Sequence, residues 1–215
     1  LDPLLTTNLP ANITASTGID AMVHAIEAFT SINSNNNPVS KMLSIEALKL
    51  LGSSIKTAVF DGHNINARSN MLLGSMLAGK AFANSPVAAV HALAYPIGGL
   101  FNISHGLSNS LVLTSVMKFN SKNEETKKNY AYLSPYVFKN LDNSKNDEFL
   151  CNNFIDGLER LCKELNLPYR LRDLEIPEEA CKLMASEAMK QTRLLVNNPR
   201  KIEESDAYNI YKSVW

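Results

Sequence analysis

The 215-residue sequence predicts an all-α fold. Apolar side chains recur at three- and four-residue intervals through most of the chain, a spacing typical of helices that bury one face. No segment has the alternating pattern of a half-buried strand, and no internal repeat or low-complexity tract is present. Hydrophobic residues make up 45% of the chain and charged residues 20%, which suits one large helical domain or two closely packed helical subdomains.

The first three predicted helices span residues 15–31, residues 38 to about 60, and residues 64–84. In the first, apolar side chains from Ile19 to Phe29 follow the helical period. An asparagine-rich loop with no helical period comes next, and Pro38 suits the first turn of the second helix. In the third helix, Gly74 and Gly79 indicate close approach of neighbouring helices rather than a break.

A fourth, shorter helix is predicted over roughly residues 86–95. We expect it to end near Pro96, because proline disfavours helical geometry in the residue before it. The segment 97–99, Ile-Gly-Gly, then reads as a turn. The next helix is predicted to begin near His105 and to continue to Phe119.

The remainder of the chain is more polar and predicts amphipathic surface helices, with boundaries near Pro168 and Pro177. These helices are expected within residues 121–133, 144–166, 177–191 and 202–214. We therefore expect a single helical domain over residues 1–215. Its chemically active core would occupy residues 1–120, and outer helices would occupy residues 121–215.

Composition excludes several classes of partner. Lys and Arg total 21, as do Asp and Glu, and no basic stripe predicts nucleic-acid binding. No apolar run approaches the ~18 residues of a membrane span, and the opening LDPLLTTNLP is not a signal peptide. Three cysteines without CxxC spacing, Cys151, Cys162 and Cys181, predict reduced packing thiols and a cytoplasmic protein.

Polar side chains in the first helix suggest a metal site. Asp20 and His24 are four residues apart, so both project from one helix face, and Glu27 lies near the same stripe. An Asp-His pair among Ile, Met, Val and Phe is costly unless something satisfies it. A metal ion would do so, since carboxylate and neutral imidazole both bind first-row metals. The alternative is an Asp–His hydrogen bond within a helical core.

The apolar segment AVHALAYPIGGLFNISHG (89–106) adds two more histidines. His91 and Tyr95 are four residues apart and share a helix face, and His105 begins the following helix. His63, in a polar turn, is expected to be solvated. The combined set has one carboxylate and three imidazoles, which suits Fe²⁺ or Zn²⁺ and leaves access for a substrate oxygen. Its members are Asp20, His24, His91 and His105.

Several motifs in a fixed order resemble the C-terminal half of the iron-containing alcohol dehydrogenases. They are LDPLL, TGIDAMVHAIEAF, ARSNMLLGSMLAGKAFAN, VHALAYPIGG, NISHGLSNSLVL, VMKFN and the terminal NNPRKIEESDAYNIYKSVW. The resemblance covers residues 1–120 and roughly 195–215, with a looser middle. It implies that Asp20, His24, His91 and His105 bind a divalent metal, commonly iron and sometimes zinc. It also implies a helical metal domain beside an N-terminal α/β domain that binds NAD(P), with the active site between the two.

The sequence departs from the family pattern in two respects. No strand, glycine-rich loop and helix unit that would bind a dinucleotide occurs in it, so we expect the N-terminal dinucleotide domain to be absent. Many relatives also carry a proton-relay histidine four residues after His91, where this chain has Tyr95. A tyrosine can orient a substrate or join a relay, which makes Tyr95 the candidate catalytic residue. Its unperturbed pKa near ~10 makes it a poorer proton carrier than histidine, and a packing aromatic is the alternative.

The resemblance implies an NAD(P)-dependent alcohol dehydrogenase that interconverts a small alcohol and its aldehyde with the metal as Lewis acid. Without a nucleotide-binding half we expect no dehydrogenase activity, and an exposed cleft face would favour homo-oligomers. One alternative is a metal-dependent hydrolase in which Glu27 acts as general base. The other is a non-catalytic helical domain with a structural metal or none.

Overall fold

In the computed structural model of the protein, residues 1–138 and 145–215 are described, and within these ranges ten α-helices and no strands occur. The helices are α1 (Ala11–Thr30), α2 (Pro38–Phe60), α3 (Ile65–Asn84), α4 (Ala89–Phe101), α5 (His105–Asn120), α6 (Glu124–Val137), α7 (Asp147–Glu164), α8 (Ala180–Met189), α9 (Thr192–Leu195) and α10 (Glu204–Ser213). Two short 3₁₀ helices are Pro3–Thr6 and Leu171–Leu174. The all-α prediction is confirmed.

Helix α1 lies at the centre of the fold. Of its 20 residues 14 are buried, and it packs against α2, α3 and α5. Ile19, Met22 and Ile26 are almost completely buried on the apolar face that the periodicity predicts. Asp20 and His24 lie on a side that is only partly covered. Asp20 and His24 therefore line an opening beside the core.

Helices α2 and α3 form an antiparallel pair against α1. The predicted start at Pro38 is confirmed, and the Asn37 side chain before it accepts hydrogen bonds from the backbone N–H groups of Val39 and Ser40. Gly74 permits the expected close approach, since a Cβ there would lie 2.8 Å from Cγ of Leu51. The same expectation for Gly79 is wrong, because nothing lies within 4 Å of the position its Cβ would take.

Helix α4 corrects the predicted turn at residues 97–99, because it continues through Pro96 to Phe101. Proline removes one helical hydrogen bond, to the carbonyl four residues earlier. In the same turn, the buried hydroxyl of Tyr211 donates to the carbonyl of Leu93 at 2.6 Å. Leu93 and Ile97 are completely buried. Burial of this apolar face and the bond from α10 outweigh the local preference of proline.

The helices predicted for the second half are confirmed as α6, α7, α8 and α10; Ser144, where the second of these predictions begins, lies outside the described residues. Helices α6 and α7 pack together, while α8 packs against both α10 and α4. The three cysteines are free and buried, and burial raises the pKa of the Cys162 thiol to about 12. They act as small apolar packing residues. Across the described ranges, every helix is too short or too polar to cross a bilayer.

Candidate metal centre

The four predicted ligands converge from three helices. Asp20 and His24 project from α1, His91 lies in the first turn of α4, and His105 is the first residue of α5. One donor atom from each of the four side chains lies within 4.8 Å of the others. The expected juxtaposition is therefore present, while metal binding by these side chains stays a prediction.

Two local features of the backbone bring His105 to this point. Asn102, which follows the last residue of α4, adopts the left-handed conformation (φ 55°) that asparagine tolerates better than most residues, so the helix ends there. Gly106 then lies directly against α1, since a Cβ there would lie 2.5 Å from the carbonyl oxygen of Ser16. This close approach places His105 beside the turn of α1 that carries Asp20.

His91 has one ring nitrogen bound and the other available. Its Nδ1 lies 2.6 Å from Oε2 of Glu27, and the carboxylate requires this nitrogen to carry the proton. Its Nε2 is buried, has no hydrogen-bond partner among residues 1–138 and 145–215, and lies 3.7 Å from Oδ1 of Asp20. A buried acceptor without a partner is costly. A metal ion would satisfy it, so the arrangement fits the cation that the residue types suggest.

Glu27 anchors the start of α4 as well as the imidazole. Its side chain accepts hydrogen bonds from the backbone N–H of Ala88 (3.0 Å) and of Val90 (2.7 Å) in addition to the contact with His91. Glu27 is only 4% exposed, and both its oxygens are occupied. The sequence places Glu27 near the Asp20 stripe by its seven-residue spacing, but it does not reveal the partner on α4.

His24 is held as a neutral imidazole. Its ring stacks between Phe82 and His91, with centroid distances of 4.7 and 4.6 Å. Burial is the main cause that lowers the pKa of His24 to about 4, and the nearby His91 lowers it further. Asp20 and Glu27 act in the opposite direction, because negative charge favours the protonated imidazole. The neutral form is the one that binds metals.

Asn109 is a member of the cluster that the sequence analysis missed. It is fully buried, and its Nδ2 donates to Oδ1 of Asp20 at 2.6 Å and lies 3.1 Å from Nε2 of His105. The four-residue spacing from His105 is the signal that would have identified it. The side chain of His105 is 46% exposed, so the cluster opens to solvent on this side.

Tyr95 lies at the edge of the cluster, one turn after His91. It is partly buried, and the centroid of its ring lies 6.0 Å from that of His105. This position borders the open side of the cluster. His63 is exposed in the turn between α2 and α3, as expected.

Comparison with known proteins identifies relatives over the whole chain. Residues 14–215 match the Fe-containing alcohol dehydrogenase family, C-terminal. Long-chain-alcohol dehydrogenase 1 of Geobacillus thermodenitrificans is 38% identical over 220 residues, which cover 100% of this chain and 53% of that protein. The 1,3-propanediol dehydrogenase of Citrobacter freundii is 35% identical over 214 residues, covering 100% of this chain and 54% of that protein. The chain thus spans about half the length of these curated relatives.

Solved structures share the fold described above. A crystal structure of a 1,3-propanediol oxidoreductase superposes with a TM-score of 0.93 at 33% identity, covering 100% of this chain and 55% of that one. An alcohol dehydrogenase from Oenococcus oeni gives a TM-score of 0.92 at 31% identity, covering 99% of this chain and 54% of that one. Together with the match over residues 14–215, these findings show that the chain belongs to the iron-containing alcohol dehydrogenase family, in its C-terminal region.

Proposed function

We propose that this chain is the metal-binding domain of an NAD(P)-dependent dehydrogenase that interconverts a small primary alcohol and its aldehyde. The observation that carries the proposal is the convergence of four side chains, in which Nε2 of His91 is buried and has no partner in the described part of the chain. The four are Asp20, His24, His91 and His105. One carboxylate and three imidazoles suit Fe²⁺ first and Zn²⁺ second. A divalent ion held there supplies a Lewis acid, which lowers the pKa of an alcohol and polarises a carbonyl group.

The surrounding residues prepare the four side chains for this task. Glu27 keeps the proton of His91 on Nδ1, so Nε2 presents a lone pair. Burial keeps His24 neutral, and Asn109 fixes the carboxylate of Asp20 through a 2.6 Å hydrogen bond. Asp20, His24 and His91 are therefore each held by neighbouring residues before a cation arrives.

Tyr95 is the residue we propose to contact the substrate. It borders the open side of the cluster beside His105, where an alcohol oxygen would approach. A phenol O–H can donate a hydrogen bond to that oxygen, whereas histidine is the side chain that most often carries protons in catalysis. Tyr95 would then orient the substrate, with proton release assisted by solvent.

The nicotinamide cofactor would be bound by a separate nucleotide-binding half, outside these 215 residues, and would accept the hydride. Over residues 1–215 we propose one domain, with the site in residues 1–120 and the remaining helices supporting it. Exposed leucines near the start of the chain, such as Leu4 and Leu5, offer apolar surface for contact with that half or with a second copy. We propose a cytoplasmic location, since the three buried thiols are free.

The contacts of Glu27 count against the hydrolase alternative. A general base needs a free lone pair that points toward the attacking water. Oε2 of Glu27 accepts from the N–H of Ala88 and contacts Nδ1 of His91, and Oε1 accepts from the N–H of Val90. The carboxylate is thus committed to the start of α4, and the residue is only 4% exposed, so little of it is available to a solvent water.

The first test is metal content. The chain purified with Fe²⁺ or Zn²⁺ is expected to retain about one ion per molecule by mass spectrometry, as a four-ligand site requires. His24→Ala and His91→Ala are expected to lose it, and His63→Ala, the same change at an exposed histidine outside the cluster, is expected to keep it. Unchanged metal content in both cluster variants would overturn the proposal.

The second test is activity. The 215-residue chain alone is expected to oxidise no alcohol, whereas fusion to the nucleotide-binding half of a relative is expected to yield NAD(P)-dependent oxidation. Tyr95→Phe in that fusion is expected to lower kcat/KM by about 10- to 100-fold, the value of one substrate hydrogen bond. Ester hydrolysis by the metal-loaded chain alone would instead favour the hydrolase.

A further inference from the structure

A turn near the C-terminus contacts the segment that leads into α4. Asn197 is 1% exposed, and its Nδ2 donates to the carbonyl of Val87 at 3.1 Å and to the carbonyl of Arg193 at 3.0 Å. Its Oδ1 accepts from the side-chain amide of Asn33 at 2.8 Å, and its own carbonyl accepts from the N–H of Ile32 at 3.0 Å. The side chain is thus locked between the end of α1 and the start of α4.

The carbonyl of Val87 and the N–H of Ala88 belong to one peptide group. In a trans peptide these two groups point in opposite directions. Asn197 binds the carbonyl, while Oε2 of Glu27 accepts from the N–H at 3.0 Å. The same Oε2 lies 2.6 Å from Nδ1 of His91. The peptide is therefore held from both sides, and its orientation determines how Glu27 meets the imidazole.

We propose that Asn197 is a positioning residue for the metal centre, because it fixes the Val87–Ala88 peptide so that one carboxylate can hold both this peptide and His91. The inference rests on the proposed function, in which Nε2 of His91 binds the ion. Removing Asn197 leaves the carbonyl of Val87 buried without its donor, and the peptide rotates to find another. Glu27 follows its N–H partner, and His91 loses its alignment.

The neighbouring Asn198 supplies a matched control. It is 3% exposed, and its amide exchanges two hydrogen bonds with Asn120 at the end of α5 (2.8 and 3.0 Å) and donates to the carbonyl of Arg200 (2.6 Å). These contacts resemble those of Asn197 in number and burial, but they do not involve the segment 87–91. Asn198→Ala therefore damages the same turn without releasing the peptide that Glu27 holds.

The experiment compares affinities for Co²⁺ by chelator competition in the wild-type chain, Asn197→Ala and Asn198→Ala, with the melting temperature and the visible absorption of bound Co²⁺ recorded for each. Both variants are expected to melt at a lower temperature. Only Asn197→Ala is expected to bind Co²⁺ about tenfold more weakly and to alter the Co²⁺ spectrum. A tenfold loss is the lower end of the range in which mutating a residue that supports a metal ligand reduces metal affinity.

A second variant covers the case in which Asn197→Ala does not fold. Asn197→Asp keeps the size of the side chain and the oxygen that accepts from Asn33. It replaces the amide that donates to the carbonyl of Val87 with a carboxylate oxygen, which repels that carbonyl. This variant is therefore expected to weaken Co²⁺ binding as well. Equal Co²⁺ affinity in the Asn197 and Asn198 variants would overturn this inference alone. Absence of Co²⁺ binding by the wild-type chain would overturn the proposed function, and the inference with it.

Discussion

Glu27 shows how one side chain can serve both the fold and the site. A buried carboxylate is costly unless donors surround it, and Glu27 meets two backbone N–H groups and one imidazole N–H. The two backbone bonds supply acceptors for N–H groups at the start of α4, where the residue before the helix, Ala88, has no side chain that could cap them. The imidazole bond sets the tautomer of His91. Loosening the start of α4 would therefore also misalign the imidazole of His91.

The low pKa of His24 predicts a pH-dependent stability of the metal-free protein. Burial and His91 lower the pKa of His24 to about 4 from 6.5. Because the folded pKa lies below the unfolded one, the unfolded chain binds this proton first as the pH falls. The contribution is fully present above about pH 6.5 and is lost progressively toward about pH 4. The free energy of unfolding is therefore expected to fall across this window.

Urea unfolding with chelator present, at several pH values between 7 and 4, measures this effect. The variant His24→Gln cannot titrate, so its free energy of unfolding is expected to fall less steeply over the same window. The difference between the two curves isolates His24 from the other titrating groups. Parallel curves for the wild type and the variant would contradict the assignment.

At the residue scale, single-sequence reasoning identifies pairs within one helix and misses partners between helices. Asp20 and His24 are found because a four-residue spacing defines one helix face. The contact between Asn109 and Asp20 depends on how α5 crosses α1, which no local spacing specifies. The same is true of the contact between Asn197 and Val87, which are far apart in the chain.

At the scale of elements, α4 shows tertiary contacts outweighing the local preference of a proline to end a helix. Pro96 predicts an end to the helix, yet the helix continues for five further residues to Phe101. The apolar face around Pro96 is buried, and the Tyr211 hydroxyl from α10 satisfies a carbonyl in the same turn. Both factors come from distant parts of the chain. The predicted starts at Pro38, where the Asn37 side chain caps α2, and at His105 are accurate.

The crossing of α5 over α1 predicts the effect of a small substitution. In Gly106→Ala the new Cβ would lie 2.5 Å from the oxygen and 2.8 Å from the carbon of the Ser16 carbonyl, and these backbone atoms cannot swing away. Helix α5 must shift, and His105 shifts with it. The free energy of unfolding is expected to fall by about 1–3 kcal/mol, and Zn²⁺ affinity is expected to fall with it.

Gly99→Ala is the matched control, since Gly99 also lies in a helix of the site but nothing is within 4 Å of its Cβ position. This change is expected to stabilise the protein by about 0.5–1 kcal/mol through helix propensity and to leave Zn²⁺ affinity unchanged. Chemical denaturation and chelator competition on both variants make the comparison. Wild-type Zn²⁺ affinity in Gly106→Ala would show that the close approach does not position His105.

At the scale of the whole molecule, the site depends on parts of the chain that lie far from the ligands in sequence. The motifs quoted from the sequence lie in residues 1–120 and about 195–215, and in the fold these two blocks meet at α4. Asn197 contacts the segment before this helix, and Tyr211 contacts its second turn. The segment between these two blocks supplies α6 and α7, which pack mainly against each other.

The same arrangement predicts how a metal ion would affect global stability. The four side chains come from α1, α4 and α5, so an ion bound to all of them links three helices that must separate on unfolding. A ligand that binds only the folded state stabilises it by about 4 kcal/mol at roughly 1,000 times its Kd. For a domain of this size we expect the melting temperature to rise by roughly 8–16 °C.

Thermal unfolding with Zn²⁺ or anaerobic Fe²⁺, against chelator, measures this rise. His91→Ala is expected to lose it, because the three remaining donors no longer connect α4 to the other two helices. His63→Ala is expected to respond like the wild type, since this histidine is exposed and lies outside the cluster. A rise of equal size in His91→Ala would mean that the ion acts elsewhere on the molecule. A rise confined to chains with all four side chains would identify the ion as a structural link between the three helices.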